Sequence, residues 1–193
     1  MSFRLLETMR VTPHGVYLLD RHLDRLRGSA RYFSFKCDVA GLRQAVAMIE
    51  GPSRLRLLLS PDGAREIDMG PLPGQNPELL RLSPFHVSSA DPFLYHKTTR
   101  RDPYDAAGPG ALLVNERGET TETGIANIAV FREDRWITPP VECGLLPGVM
   151  RAELLDRGEI AEGVIRSSEL KPGETIRCFN ALRGVFEARF EIP

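Results

Sequence analysis

Neither sign of charge is in excess in this chain: 25 lysines and arginines stand against 26 aspartates and glutamates. Without a basic excess there is no electrostatic case for binding nucleic acid, whose phosphates require a positive face. No apolar run approaches the roughly 18 residues that a membrane-spanning helix needs. The opening MSFRLLETMR lacks the basic-then-apolar order of a secretory signal, so a cytoplasmic protein is expected. Cysteine is scarce. Cys37, Cys143 and Cys178 are odd in number, far apart and without ligand spacing, which predicts reduced thiols buried as small apolar residues. His14, His22, His86 and His96 show no metal-ligand spacing, and there is no His-Glu-x-x-His, so no metal is expected. Walker loops, Gly-x-Ser-x-Gly elbows and internal repeats are also missing. Gly108-Pro109-Gly110 lacks the third glycine of a dinucleotide fingerprint.

What is present is a strand-rich pattern. FRLLETMRV and GVYLLD flank Thr12-Pro13-His14 and read as a hairpin. Leu23, Leu26, Ala30 and Phe33 recur at helical spacing, which predicts a helix from Arg21 to about Phe33 capped by Asp20. A second helix is predicted from Val39 to Ile49, with Asp38 as its cap and Gly51-Pro52 as its stop. SRLRLLLS and AREIDM flank Pro61-Asp62-Gly63 as a second hairpin. LLRLSPF, ALLVN, ETTETG, IANIAVF, RWITP, EGVIRS, ETIRCFN and GVFEARF are further strand candidates, with a helix from Val149 to Arg157 between them. The Pro-, Gly- and Asn-rich stretch from Pro71 to Glu78 marks a boundary. Two lobes are therefore predicted, residues 1–77 and 78–193, in an α+β fold with mixed or antiparallel sheets.

Five features could carry chemistry, and each admits two readings. Tyr95-His96-Lys97-Thr98-Thr99-Arg100-Arg101-Asp102-Pro103-Tyr104 is predicted as a loop, either solvated and basic or a setting in which like charges free the Lys97 amine as a nucleophile toward a carbonyl. Glu122 in TTETGIANIAV is either a surface carboxylate or a buried anion paired with a ring nitrogen or cation. Gly144-Leu145-Leu146-Pro147-Gly148-Val149 is either an ordinary turn or a helix start that offers its N–H groups to a phosphate. Arg25, one turn after Arg21, faces either solvent or an anion. Asn180-Ala181-Leu182-Arg183-Gly184 is a turn or a bend lining a site.

Taken together, the order and wording of these blocks resemble a known family. LLETMR, RHLDRLRGSA, HKTTRRDPYDAA, LLVNERGETTETGIANIAVF with TPPVECGLLPGVMRAELL, and NALRG carry a likeness that covers essentially the whole chain. It is to the fold-type IV pyridoxal-phosphate enzymes, the class IV aminotransferase family that also contains 4-amino-4-deoxychorismate lyase. His-Lys-Thr-Thr-Arg-Arg and Thr-Pro-Pro before Cys-Gly-Leu-Leu-Pro-Gly are most similar to the lyase branch. The resemblance implies a two-lobed fold like that of D-amino acid aminotransferase, with the Schiff-base lysine in the larger C-terminal lobe. Because the chain begins almost at Glu7-Thr8, it also implies a shortened N-terminal lobe.

By position, the resemblance makes Lys97 the catalytic residue that holds pyridoxal 5'-phosphate covalently. Glu122 would pair with the pyridine nitrogen. Arg25, Gly148, Val149 and Ala181 would hold the phosphate, with Ala181 offering only its backbone where the family often has a hydroxyl. Arg101, Tyr104, Asn180 and Arg183 would face the substrate. Glu122-Thr123-Gly124 departs from the family's Glu-Gly-Ser/Thr, so a different local turn is expected.

The implied reaction converts 4-amino-4-deoxychorismate to 4-aminobenzoate and pyruvate, a step toward folate. Two alternatives are a class IV aminotransferase for branched-chain or D-amino acids, and a non-catalytic homologue that partners aminodeoxychorismate synthase. A small-molecule substrate and a homodimer are expected, with no nucleic acid or membrane partner.

Overall fold

The computed structural model describes residues 3–47, 49, 51–108 and 110–192. These form two compact units. One comprises Met1–Gly74, His96–Arg100 and Ala181–Arg183; the other comprises Gln75–Tyr95, Arg101–Asn180 and Gly184–Pro193.

In the first unit, strands β1 (Leu5–Thr12), β2 (Gly15–Val16), β3 (Ser53–Leu59) and β4 (Arg65–Gly70) make an antiparallel sheet in the order β2-β1-β3-β4. Alternation along a strand sends every second side chain to one face. Leu5, Met9 and Val11 of β1 and Leu55, Leu57 and Leu59 of β3 therefore share a face. They bury it against Leu23, Leu26 and Ala30 of α1 (Leu19–Tyr32) and Leu42 and Val46 of α2 (Val39–Ala47). Glu7 occupies the same inward row and is 1% exposed.

Lys97 belongs to this first unit and not to the second, where a single division at residue 78 would put it. The reason is backbone pairing. Lys97 O accepts from Leu6 N–H at 2.9 Å, Arg4 O accepts from Thr99 N–H at 2.9 Å, and Leu5 bridges to Thr98.

Several local expectations need correction. The first helix begins at Leu19, and Asp20 lies inside its first turn. Leu18, in a left-handed conformation with φ 54°, turns the chain into the helix without a side-chain cap. YLLD is therefore not strand. Asp38 does cap α2, accepting from Gly41 N–H at 3.0 Å, but Ile49 is not helical.

The second unit holds eight strands. They are β5 (Leu79–Val87), β6 (Ala111–Asn115), β7 (Thr120–Thr123), β8 (Asn127–Arg132), β9 (Arg135–Thr138), β10 (Ala161–Glu162), β11 (Thr175–Asn180) and β12 (Gly184–Phe190). Their order is β10-β9-β8-β11-β12-β5-β6-β7, and β7 also pairs with β8. That extra pairing closes six strands into a ring, and the pair that closes it is Glu122 with Asn127. The ring is mixed: β5 runs parallel to both β6 and β12, while β6–β7, β8–β11 and β11–β12 are antiparallel. Leu80, Leu112, Ile128, Val130, Ile176 and Phe190 are in its core.

The unit also carries helices α3 (Pro92–Tyr95), α4 (Asp102–Ala107) and α5 (Val149–Asp156) and 3-10 turns at Val141–Cys143 and Ser167–Glu169, so the segment from Tyr95 to Tyr104 is not wholly loop. EGVIRS is not a strand. β10 ends at Glu162, where Gly163 lies so close to Ile137 that a Cβ would meet its Cγ2 at 2.8 Å. Ile165 O instead accepts from Thr120 N–H at 2.8 Å.

The three cysteines are free thiols, with Cys143 and Cys178 buried and Cys37 only half-buried. No helix among the described residues is long and apolar enough to cross a membrane. No group of three or more His, Cys, Asp or Glu among them could hold a metal ion.

Candidate active site

Two carboxylates, Glu7 in the first unit and Glu122 in the second, are almost completely buried and each has a set of donors. In the first, Glu7 Oε1 accepts from Arg25 Nε at 2.9 Å, and Glu7 Oε2 accepts from Arg25 Nη2 at 2.7 Å. His22 Nδ1 is also 2.7 Å from Oε2. His22 and Arg25 lie one turn apart on α1, so a single helix face presents both to β1. Burial alone would raise the Glu7 pKa. The Arg25 charge and the His22 hydrogen bond outweigh it and hold the carboxyl at about 2.

Burial pushes His22 down from the ordinary histidine range. The Glu7 bond opposes that shift, while the Arg25 and Lys97 charges add to it. An ionised carboxylate only accepts, so Nδ1 must carry the proton of the neutral ring. Nε2 is then a bare acceptor, buried and without a hydrogen-bond partner among the described residues. Ser29 Oγ lies 3.0 Å from His96 Nδ1, which ties His96, next to Lys97, to α1. Lys97 is itself half-buried.

In the second unit the ring-closing strand β7 is polar throughout, yet Thr120, Thr121, Glu122 and Thr123 are all buried. Such a strand is tolerated only if its polar atoms find partners. Thr120 Oγ1 donates to Ile165 O at 3.0 Å, and Thr123 Oγ1 donates to Ala126 O at 3.1 Å. Thr123 Oγ1 also accepts from Ala126 N–H at 3.0 Å, which shapes the turn that Glu122-Thr123-Gly124 makes. Glu122 is 4% exposed. Its Oε1 accepts from Tyr104 Oη–H and from Leu146 N–H, both at 2.8 Å, and its Oε2 accepts from Asn127 Nδ2 at 3.1 Å.

Helix α5 starts beside this cluster. Its first turn has no acidic residue, and Gly148 at its N-cap makes no side-chain cap bond. A Cβ on Gly148 would fall 1.9 Å from Asn127 Oδ1, so only glycine fits. An uncapped helix start of this kind presents N–H groups and positive dipole to an anion.

The model of the family described as amino-transferase class IV matches residues 4–189. The chain belongs to that family. It is 30% identical over 196 residues to a provisionally named aminodeoxychorismate lyase of Schizosaccharomyces pombe, covering 88% of this chain and 82% of that protein. A solved structure of a provisionally named amino-acid aminotransferase from Mesorhizobium loti superposes with a TM-score of 0.85 at 35% identity, over 99% of this chain and 100% of that one. The 4-amino-4-deoxychorismate lyase of Pseudomonas aeruginosa superposes with a TM-score of 0.81 at 22% identity, over 97% of this chain and 83% of its own. That last likeness is one of fold.

Class IV members are pyridoxal-phosphate-dependent enzymes, and the residues present suit that group. A buried carboxylate that accepts on both oxygens, an uncapped helix start with a glycine that excludes any side chain, a guanidinium and a half-buried amine are the kinds of group that its ring nitrogen, phosphate and aldehyde require. The first unit carries Lys97, Arg25, Ala181 and Arg183; the second carries Glu122, Gly148, Val149, Arg101, Tyr104 and Asn180.

Three residues expected to face the substrate have side chains already engaged within the second unit. Asn180 Nδ2 donates to Ile125 O at 2.8 Å, Arg101 Nη2 donates to Gly124 O at 2.6 Å, and Tyr104 donates to Glu122.

Sequence reasoning missed Glu7, His22, Asn127 and the Leu146 N–H. The signal for Glu7 was visible: it is the one charge in the inward row Leu5, Glu7, Met9, Val11. A backbone N–H such as that of Leu146 leaves no signal in residue types.

Proposed function

We propose that this class IV enzyme is an aminodeoxychorismate lyase that uses pyridoxal 5'-phosphate to convert 4-amino-4-deoxychorismate into 4-aminobenzoate and pyruvate. The observation that carries the reading is the 30% identity to the Schizosaccharomyces pombe protein over 88% of this chain. Bound, the cofactor supplies an electron sink for a substrate carbon that loses its proton. The protein's own groups do the rest. Lys97 anchors the cofactor through its amine, and Nζ then takes a proton and returns it. Glu122, ionised, keeps a proton on the ring nitrogen. Arg25 and the N–H groups at Gly148 and Val149 bind the phosphate, joined by the backbone of Ala181. Arg183 answers a substrate carboxylate. Loss of a ring proton and of the enolpyruvyl C–O bond then gives an aromatic amine and pyruvate.

The same parts support amine transfer. The specific observation on that side is the 35% identity to the Mesorhizobium loti aminotransferase over the whole of that chain. One assay separates the two readings. Incubation of the loaded enzyme with aminodeoxychorismate is expected to release pyruvate and 4-aminobenzoate in equal amounts. Amine transfer that needs a keto acid, without pyruvate release, would instead establish the aminotransferase. The reading places the enzyme in folate synthesis in the cytoplasm as a homodimer, working beside aminodeoxychorismate synthase.

A further inference from the structure

We propose that Tyr104 and Asn127 are positioning residues that act through Glu122, holding its carboxylate as the anion that the cofactor's ring nitrogen pairs with, and that Tyr104 does not contact the substrate. The proposal rests on the assignment of Glu122 to that nitrogen.

The two donors divide the carboxylate between them: Tyr104 takes Oε1, and Asn127 takes Oε2. Both are uncharged. Neutral donors stabilise a negative charge without cancelling it, so the anion keeps its pull on a proton held nearby. Each donor is also fixed in orientation. The Asn127 amide donates to Glu122 Oε2 and, at 2.9 Å, to Leu146 O. Two acceptors on one side of the amide settle which end is nitrogen. Its oxygen lies against Gly148, where any side chain would displace it.

The Tyr104 ring lies under the Arg101 guanidinium, 4.8 Å from centroid to Cζ, and Arg101 is itself anchored on Gly124 O. Burial and the Glu122 charge together raise the Tyr104 phenol well above its ordinary pKa. The hydroxyl therefore remains a donor at any pH at which the enzyme works. Glu122, Asn127 and Gly124 all belong to the β7–β8 junction where the ring closes. Closure thus sets the carboxylate and its donors in one step.

The mechanism makes a directional prediction. When a donor is removed, the carboxylate becomes more basic and draws the shared proton away from the ring nitrogen. The enzyme would be loaded with pyridoxal phosphate labelled with 15N in the ring, and the ring-nitrogen chemical shift read at pH 7.5. In the wild type it should sit at the protonated position. In Tyr104→Phe it should move toward the unprotonated position, and in Glu122→Gln it should move further in the same direction. Turnover should change in parallel: kcat falls about tenfold in Tyr104→Phe, the size expected for one lost hydrogen bond to a charged group, while KM changes by less than about threefold. In the Glu122→Gln background, Tyr104→Phe should have no further effect on kcat.

A KM that rises about tenfold at unchanged kcat would mean that Tyr104 holds substrate, and would overturn the proposal. A wild-type ring signal in Tyr104→Phe, alongside a displaced one in Glu122→Gln, overturns the proposal and leaves the Glu122 assignment standing. A wild-type signal in Glu122→Gln removes the assignment itself and the proposal with it. Should Tyr104→Phe fail to fold, Asn127→Ser removes the donor on the other oxygen and must displace the signal in the same direction. An unmoved signal there also overturns the proposal.

Discussion

Glu7 and Glu122 are both buried carboxylates on β-strands, and the protein treats them in opposite ways. Glu7 is gripped by a guanidinium and an imidazole from one helix face. Its charge is used inside the first unit, where it fixes Arg25 by two parallel bonds. The donors that fix the Glu122 oxygens include a phenol, an amide and a backbone N–H, all uncharged. An ion pair spends a charge on structure, whereas neutral donors preserve it for chemistry. Substitution of each carboxylate by its amide should therefore separate stability from turnover.

The largest effect is expected from Glu122→Gln on catalysis. Losing the anion leaves the ring nitrogen without a reason to stay protonated, and turnover should fall about a thousandfold. The same variant should lose about 1–3 kcal/mol of stability in urea unfolding, because the amide oxygen can still accept from Tyr104 and Leu146 while its NH2 faces the Asn127 NH2 without an acceptor. A loss of folding comparable to the loss of rate would mean that Glu122 is a structural ion after all, and the contrast with Glu7 would collapse.

Glu7→Gln should show the reverse balance. Removing one partner of a buried ion pair costs roughly 3–5 kcal/mol, and the loss should appear in unfolding of the cofactor-free protein. The pH dependence has a definite sign. The Arg25 charge and the His22 hydrogen bond hold the Glu7 carboxyl at about 2 in the folded protein, against an ordinary value of 4.5. A carboxyl lowered on folding contributes stability that is complete above about 4.5 and is lost as pH falls toward 2, on the order of 3 kcal/mol in all. His22, lowered by burial below the ordinary histidine value of 6.5, adds a loss of the same sign that starts as pH falls through 6.5. Urea midpoints measured from pH 7 to pH 3 should therefore fall steadily in the wild type and less steeply below 4.5 in Glu7→Gln. Equal slopes would show that the Glu7 carboxyl is not held ionised by Arg25 and His22.

The two carboxylates also differ in how far residue types alone revealed them. Lys97, Arg25 and Glu122 stood out because their blocks follow a family's wording, and the strands around them follow from alternation and turn residues. Glu7 was within reach, as a charge in an apolar row, but its partners His22 and Arg25 come from a helix whose start was misjudged. Asp20 is a good capping type, yet the left-handed Leu18 starts that helix earlier. Tyr104 could not be paired with Glu122 across 18 positions without knowing that the six strands close. EGVIRS had the β-branched residues of a strand, but after Gly163 N–H bonds to Thr138 O its backbone leaves β9, and Ile165 O accepts from Thr120 N–H instead. Propensity describes a residue's own preferences; ring closure and close backbone approach belong to the whole fold.

The smallest predicted effect isolates the charge from the polar strand that carries it. Thr121 is buried beside Glu122, but its hydroxyl makes only a long 3.4 Å contact with Leu113 O. A bond that long contributes little, and valine has nearly the same shape and a strand-forming β-branch. Thr121→Val should therefore change stability by less than about 1 kcal/mol and turnover by less than about threefold. That outcome would show that β7 is polar for the sake of Glu122 and of the two threonines that close strong bonds. If Thr121→Val instead lowered turnover as Tyr104→Phe is expected to, hydroxyls along the whole strand would be tuning the anion. The division drawn between a carboxylate spent on structure and one kept for chemistry would then have to include a field spread over β7, and not three donors alone.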